Sequence, residues 1–249
     1  MARSVSVKRR FSFAYLALAG LLGVAIGTFV VLVERPAPKP PPPWSAWQPS
    51  QTDRTAQQQE IAQHVEDQYH LNSGKKLVRI VVRNPDTTST PIREIAVART
   101  LNPTQTSDVY AVIDSKKTAM YILCGYGPKC SIKGGKPSVA RGAVLRREAL
   151  ELALYTFRYV DNTDSVVAFF PPRKGQDLTH VYFFDKAEFG DQLHMPLRRT
   201  LPAGQAPVPG KFTQSERRVV DALTVRRQFR FAVRPERGGG NVLVLAPGT

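Results

Sequence analysis

Cys124 and Cys130 enclose Gly-Tyr-Gly-Pro-Lys and are the only two cysteines in the 249-residue chain. Glycines and a proline let so short a segment fold back on itself, so the pair predicts a structural disulfide wherever the compartment is oxidising. Zinc would need four ligands, and neither a CxxC partner nor a nearby histidine supplies them. Redox catalysts use the narrower CxxC spacing.

Lys129, Lys133, Gly134, Gly135, Lys136 and Arg141 follow, ahead of a predicted helix amino terminus. Free backbone amides, a helix dipole and mobile cationic side chains converge there, which makes these six residues a candidate anion-binding site. The order G-x-x-x-x-G-K-[ST] is absent, so this is not a P-loop. The competing reading is a solvated basic loop that serves solubility alone.

Other chemistry is thin. His64, His70, His180 and His194 are scattered, and neither HExxH nor GxSxG occurs. Asp161 and Asp164 flank Asn162 and Thr163 as a turn, with only part of an EF-hand pattern and without its glutamate. We assign no catalytic residue, no cofactor and no metal site, and the pattern identifies no named family.

The chain carries 35 Lys and Arg against 20 Asp and Glu, a net charge of +15. Six of the basic residues and one acidic residue lie in residues 1–48, which leaves an excess of 10 positive charges beyond them. Such a field attracts polyanions at long range. The basic pairs are dispersed, however, at Arg146–Arg147, Arg198–Arg199, Arg217–Arg218 and Arg226–Arg227. Nucleic-acid binding is disfavoured, because Phe229 and Phe231 alternate as strand-core residues instead of forming a stacking platform among the arginines.

The elements that position these residues start at the amino terminus. Phe11 to Val33 contains no charge and follows Lys8, Arg9 and Arg10. Its 23 residues would make a helix of about 34 Å, enough to cross a hydrocarbon core of about 30 Å. A transmembrane anchor over 11–33 is therefore expected, with residues 1–10 as a cytoplasmic basic tail by the positive-inside rule and the rest extracytoplasmic at the plasma membrane. A cleaved signal would need a shorter apolar core and a small-x-small site, which Val30 to Glu34 do not offer. Ala19, Gly23 and Gly27 recur every four residues, a face on which a second helix could pack, giving a homodimer or docking to a partner's membrane helix.

Residues 34–51 are a Pro-rich spacer. Pro36 to Pro43 favours polyproline II and would hold the next element roughly 25 Å from the bilayer. Trp44 and Trp47 are expected to pack on the folded domain instead of the membrane interface.

That domain is expected over 52–249, with any sublobe boundary near 201–210. Helices are expected from Thr52 or Asp53 to Gln68, over Ser138–Val160, and from Thr213 or Ser215 to Val225. The middle helix should be wet mainly at Arg147, Glu151 and Arg158. Strands are expected over 76–82, 91–101, 108–114, 118–124, 164–170, 178–185, 226–233 and 241–246, with a hairpin around Ser115–Lys117 and another around Gly238–Gly240. Short turns between strands predict an α+β fold: a single amino-terminal transmembrane helix, then an extracytoplasmic domain of largely antiparallel sheet with about three helices.

The function expected is a non-enzymatic, single-pass, membrane-anchored scaffold or assembly protein whose domain contacts envelope or membrane proteins. The alternative is a binder of an anionic envelope ligand, a wall polymer or anionic lipid, through the basic loop.

Overall fold

A computed structural model describes residues 4–33, 42–85, 91–99, 109–133, 137–202, 206–236 and 239–247, with the side chains of 4–12, 28, 30–33 and 99 excepted. The chain divides into two units, Met1–Pro42 and Pro43–Thr249.

The first unit holds helix α1, Ser4–Val33. Every side chain described on it is exposed, among them Leu16, Leu21, Ile26 and Phe29. A Cβ added at Gly20, Gly23 or Gly27 would meet nothing within 4 Å, so the small-residue face is open. Among the described residues no helix is long and apolar enough to cross a membrane. The expected transmembrane assignment of 11–33 is therefore unsupported here, because the described side chains of α1 cover less than the about 20 residues that a crossing takes. Residues 34–41, most of the Pro-rich spacer, lie outside the described residues.

The second unit begins ahead of its first helix. Trp44 is buried, its indole Nε1 donates to the Gln192 carbonyl at 3.0 Å, and Leu197 N donates to its carbonyl at 2.7 Å. Trp47 stacks on His64 with ring centroids 3.7 Å apart. Both tryptophans thus pack on the domain. Helix α2, Arg54–Glu66, starts where the Asp53 carboxylate accepts from Ala56 N at 2.9 Å, and it buries Ile61, Ala62 and Val65.

Among the described residues eight strands make one mixed sheet: β1 Arg79–Arg83, β2 Ile92–Arg99, β3 Val109–Asp114, β4 Thr118–Cys124, β5 Ser165–Phe169, β6 His180–Asp185, β7 Gln228–Pro235 and β8 Asn241–Pro247, in the order β1-β4-β5-β6-β7-β8-β2-β3. Five neighbouring pairs are antiparallel. Two are parallel, β4 with β5 and β2 with β8. Helix α3, Val139–Tyr159, is the crossover between β4 and β5, since parallel neighbours cannot be joined by a tight turn. Two shorter helices, α4 Gly190–His194 and α5 Gln214–Thr224, complete the unit.

The expected β3–β4 hairpin does not form. Asp114 Oδ1 accepts from Lys116 N and turns Ser115–Lys117 into a 3-10 step, while β4 is already bonded on both sides by β1 and β5. Among the described residues β3 pairs with β2 alone and sits at the far end of the strand order. Three residues therefore connect strands from opposite halves of the sheet, which requires the sheet to curl on itself. The hairpin between β7 and β8 forms as expected, from Pro235 opposite Asn241.

Curling creates two cores that share β4, β5 and β6 as a wall. Met120, Val167, Phe169, Val181 and Phe183 face inward against Ile92, Ile95, Leu243 and Leu245. Alternate residues of the same strands, Ala119, Tyr121, Leu123, Val166, Ala168, Tyr182 and Phe184, join the core that includes α3 residues such as Leu150, Leu152 and Leu154. With both faces buried, these strands lose the polar alternation of a one-sided sheet.

Candidate functional site

The cysteine pair closes where β4 leaves the sheet. Cys124 Sγ and Cys130 Sγ are 2.09 Å apart, at disulfide distance. Gly125 N donates to the Cys130 carbonyl and Gly127 N to the Ser131 carbonyl, each at 2.8 Å. A Cβ on Gly125 would lie 2.3 Å from Ser131 O, so only glycine permits this approach. Lys129 and Cys130 take left-handed backbone angles, φ 51° and 59°, to complete the turn.

Beside this loop a cleft of about 430 Å³ opens at the start of α3, lined by Ile132, Ser138, Arg141, Phe170, Arg173 and His180 among others. Of the nominated anion-site residues that are described, Arg141 lines it, and Lys129 and Lys133 do not. Lys129 is exposed, its Nζ paired with Asp177 Oδ1 at 3.3 Å. Lys133 is exposed, and Gly134, Gly135 and Lys136 lie outside the described residues. Arg141 lines the cleft yet is only 5% exposed, and its Nη2 donates to the Leu77 carbonyl at 3.4 Å. Burial lowers its pKa from the usual arginine range. The Ser138 hydroxyl accepts from Arg141 N at 3.1 Å and so uses one of the free amides of the helix start.

A second cluster was placed on the wrong side of α3 by sequence reasoning. Arg147 and Glu151, expected on the wet face, are 3% and 4% exposed. The Arg147 guanidinium donates from Nε to Glu216 Oε1 of α5 at 2.6 Å and from Nη1 to Glu151 Oε2 at 2.9 Å. Tyr69, beyond the end of α2, donates its hydroxyl proton to Glu151 and accepts from Arg147. Burial raises the Glu151 and Tyr69 pKa values; at Glu151 the Arg147 charge opposes the rise. Glu148 is wholly buried, and among the described residues neither of its oxygens has a hydrogen-bond partner. Its carboxyl titrates well above the usual range, through burial first and the neighbouring Glu66 and Glu151 charges second. The helix offers one legible signal for this: Leu145, Ala149, Leu150, Leu152, Ala153, Leu154 and Phe157 leave almost no side free for water. A helix apolar nearly all round is buried, and any charges on it must find partners inside.

This arrangement clamps helices together. Arg147 bridges α3 to α5, and Tyr69 bridges it to the end of α2, so the network fixes where three elements meet. It lies out of solvent, which suits a positioning role and not substrate chemistry. Among the described residues no group of three or more His, Cys, Asp or Glu is placed to hold a metal ion.

No protein-family model, no curated protein and no solved structure matches this chain.

Proposed function

We propose that this chain is a single-pass, membrane-anchored scaffold or assembly protein, with residues 1–10 cytoplasmic and the folded unit outside. The observation that carries this reading is α1, whose described apolar side chains from Phe13 to Phe29 are all exposed. Exposed apolar surface on this scale calls for lipid or partner helices to cover it. The uncharged run continues in the sequence from Phe11 to Val33, behind a basic tail. The open face of Ala19, Gly23 and Gly27 is where a second copy or a partner's helix would pack. Crosslinking the full chain in its native membrane tests this. Discrete adducts are expected, and they should be lost on Gly23→Ile with Gly27→Ile. A chain that stays alone under crosslinking overturns the scaffold reading.

A second reading is binding of an anionic envelope ligand, a wall polymer or anionic lipid, through the Lys129–Arg141 loop. The cleft beside that loop, bordered by Arg141 and Arg173, supports it. Exchanging Lys129, Lys133 and Lys136 together for Ala should abolish salt-sensitive binding to anionic liposomes, and unchanged binding would sink this alternative.

A further inference from the structure

A different cavity, of about 280 Å³, lies between the start of α2, the end of β1 and the Ser115–Lys117 turn. Three cationic side chains line it: Arg54, Arg83 and Lys116. None of its described lining residues carries a carboxylate. Among the described residues none of the three cations makes an ion pair. Of the acids next to Arg54 and Lys116 in sequence, Asp53 uses Oδ1 to cap α2 and Asp114 uses Oδ1 to hold Lys116 N, while Asp86, three residues past Arg83, lies outside the described residues.

The donors are held but unspent. Arg54 Nη1 donates to the Lys116 carbonyl, which fixes the guanidinium at the cavity wall. Among the described residues the buried Nε atoms of Arg54 and Arg83 have no hydrogen-bond partner. Gln58 lines the same cavity at 7% exposure, and among the described residues its amide makes no hydrogen bond. Buried donors left unmade cost about 1–3 kcal/mol each. Like charges gathered at one cavity add repulsion that a bound counter-charge would remove.

We propose that this cavity binds a phosphate group. Guanidinium forks match the oxygens of phosphate, the lysine adds a point charge, and the amides of Arg54 and Thr55 open α2 with the positive end of its dipole. The volume, below the range of pockets for drug-sized ligands, suits a small charged group. The phosphate can belong to a soluble ester or to a lipid headgroup, and the chemistry of capture is the same. This site is separate from the Lys129–Arg141 loop and does not depend on the scaffold reading.

The test uses the full chain in zwitterionic detergent micelles at low salt, titrated calorimetrically with inorganic phosphate. Binding is expected, weakening as salt rises. Arg83→Gln should weaken it at least tenfold and Lys116→Ala about three- to tenfold. Lys116 is exposed, so its variant keeps the test valid should Arg83→Gln fail to fold. Repeating the titration in micelles doped with phosphatidylglycerol separates the sources: competition identifies a lipid phosphodiester, and unchanged phosphate binding a soluble one. Absence of phosphate binding, or binding undiminished in both Arg83→Gln and Lys116→Ala, overturns the proposal.

Discussion

The two cores that share β4, β5 and β6 are built on different chemistry. The one inside the curled sheet is built of apolar side chains, from Ile92 and Met120 to Phe183 and Leu245, with one neutral pair, the Thr118 and Ser165 hydroxyls 2.7 Å apart, on the same strand faces. On the other face, the core around α3 carries Arg147, Glu148, Glu151, Glu216 and Tyr69 at or below 8% exposure. Strands inside a sheet are positioned by backbone ladders that fix register, so their side chains only need to fill space. Helices packed on a sheet have no such ladder. A directional network of charged hydrogen bonds selects one placement of α3 against α2 and α5, where apolar contact alone would allow several.

Removing the hub of that network gives the largest effect. Arg147→Ala leaves Glu151 and Glu216 buried without their partner and should cost about 3–5 kcal/mol in denaturant unfolding. Replacing all three together, Arg147→Met with Glu151→Leu and Glu216→Leu, should recover most of that stability. Should recovery come with broad, poorly dispersed NMR spectra, the network specifies placement; sharp native-like spectra would remove that distinction between the cores.

In the apolar core Leu245→Ala should cost about 2–4 kcal/mol through a cavity, while Leu245→Met costs under about 1.5. Equal losses from both would mean that the curled sheet is as shape-specific as the helical side. The disulfide stands at the end of the shared wall. Cys124→Ser with Cys130→Ser should lower stability by about 2 kcal/mol, read from the urea midpoint, as expected for opening so short a loop. A midpoint unchanged from the oxidised parent would mean that the bridge does not form.

Glu148 is expected to act in the opposite direction. Folded, its carboxyl holds a proton well above the range where the unfolded group, at about 4.3, ionises. The folded state therefore binds more protons, and stability falls as pH rises from about 4 through the raised folded value. Glu148→Gln should flatten that slope and stabilise the protein at neutral pH by about 1–2 kcal/mol. An unaltered slope across pH 4–8 would assign it to another group.

Much of the secondary structure was legible because its signals are local. Asp53, Ser138 and Thr213 cap the three longer helices of the folded unit, and each side chain bonds an amide three residues on. The β7–β8 hairpin was legible from its glycines. The β3–β4 hairpin was misread because Ser-Lys-Lys between two strands resembles a short loop, whereas strand pairing depends on competition from β1 and β5, which lie far away in sequence. The βαβ connection through α3 was missed for the same reason. At the basic loop, side-chain direction was not legible: Arg141 turns inward to the Leu77 carbonyl and Lys129 outward to Asp177. Arg54, Arg83 and Lys116 are spread over more than 60 residues, and no spacing rule joins them.

What the sequence determined by itself is everything set by neighbours along the chain: an uncharged run at residues 11–33 behind a basic tail, helix caps, strand segments, a cysteine pair close enough to bridge, and an excess of positive charge. Only the tertiary structure decided which strands pair, which of the charges on α3 are buried, and which cations face one another across a cavity. Those outcomes depend on contacts between distant segments, and burial can reverse the meaning of a charged residue that a helical pattern alone assigns to water.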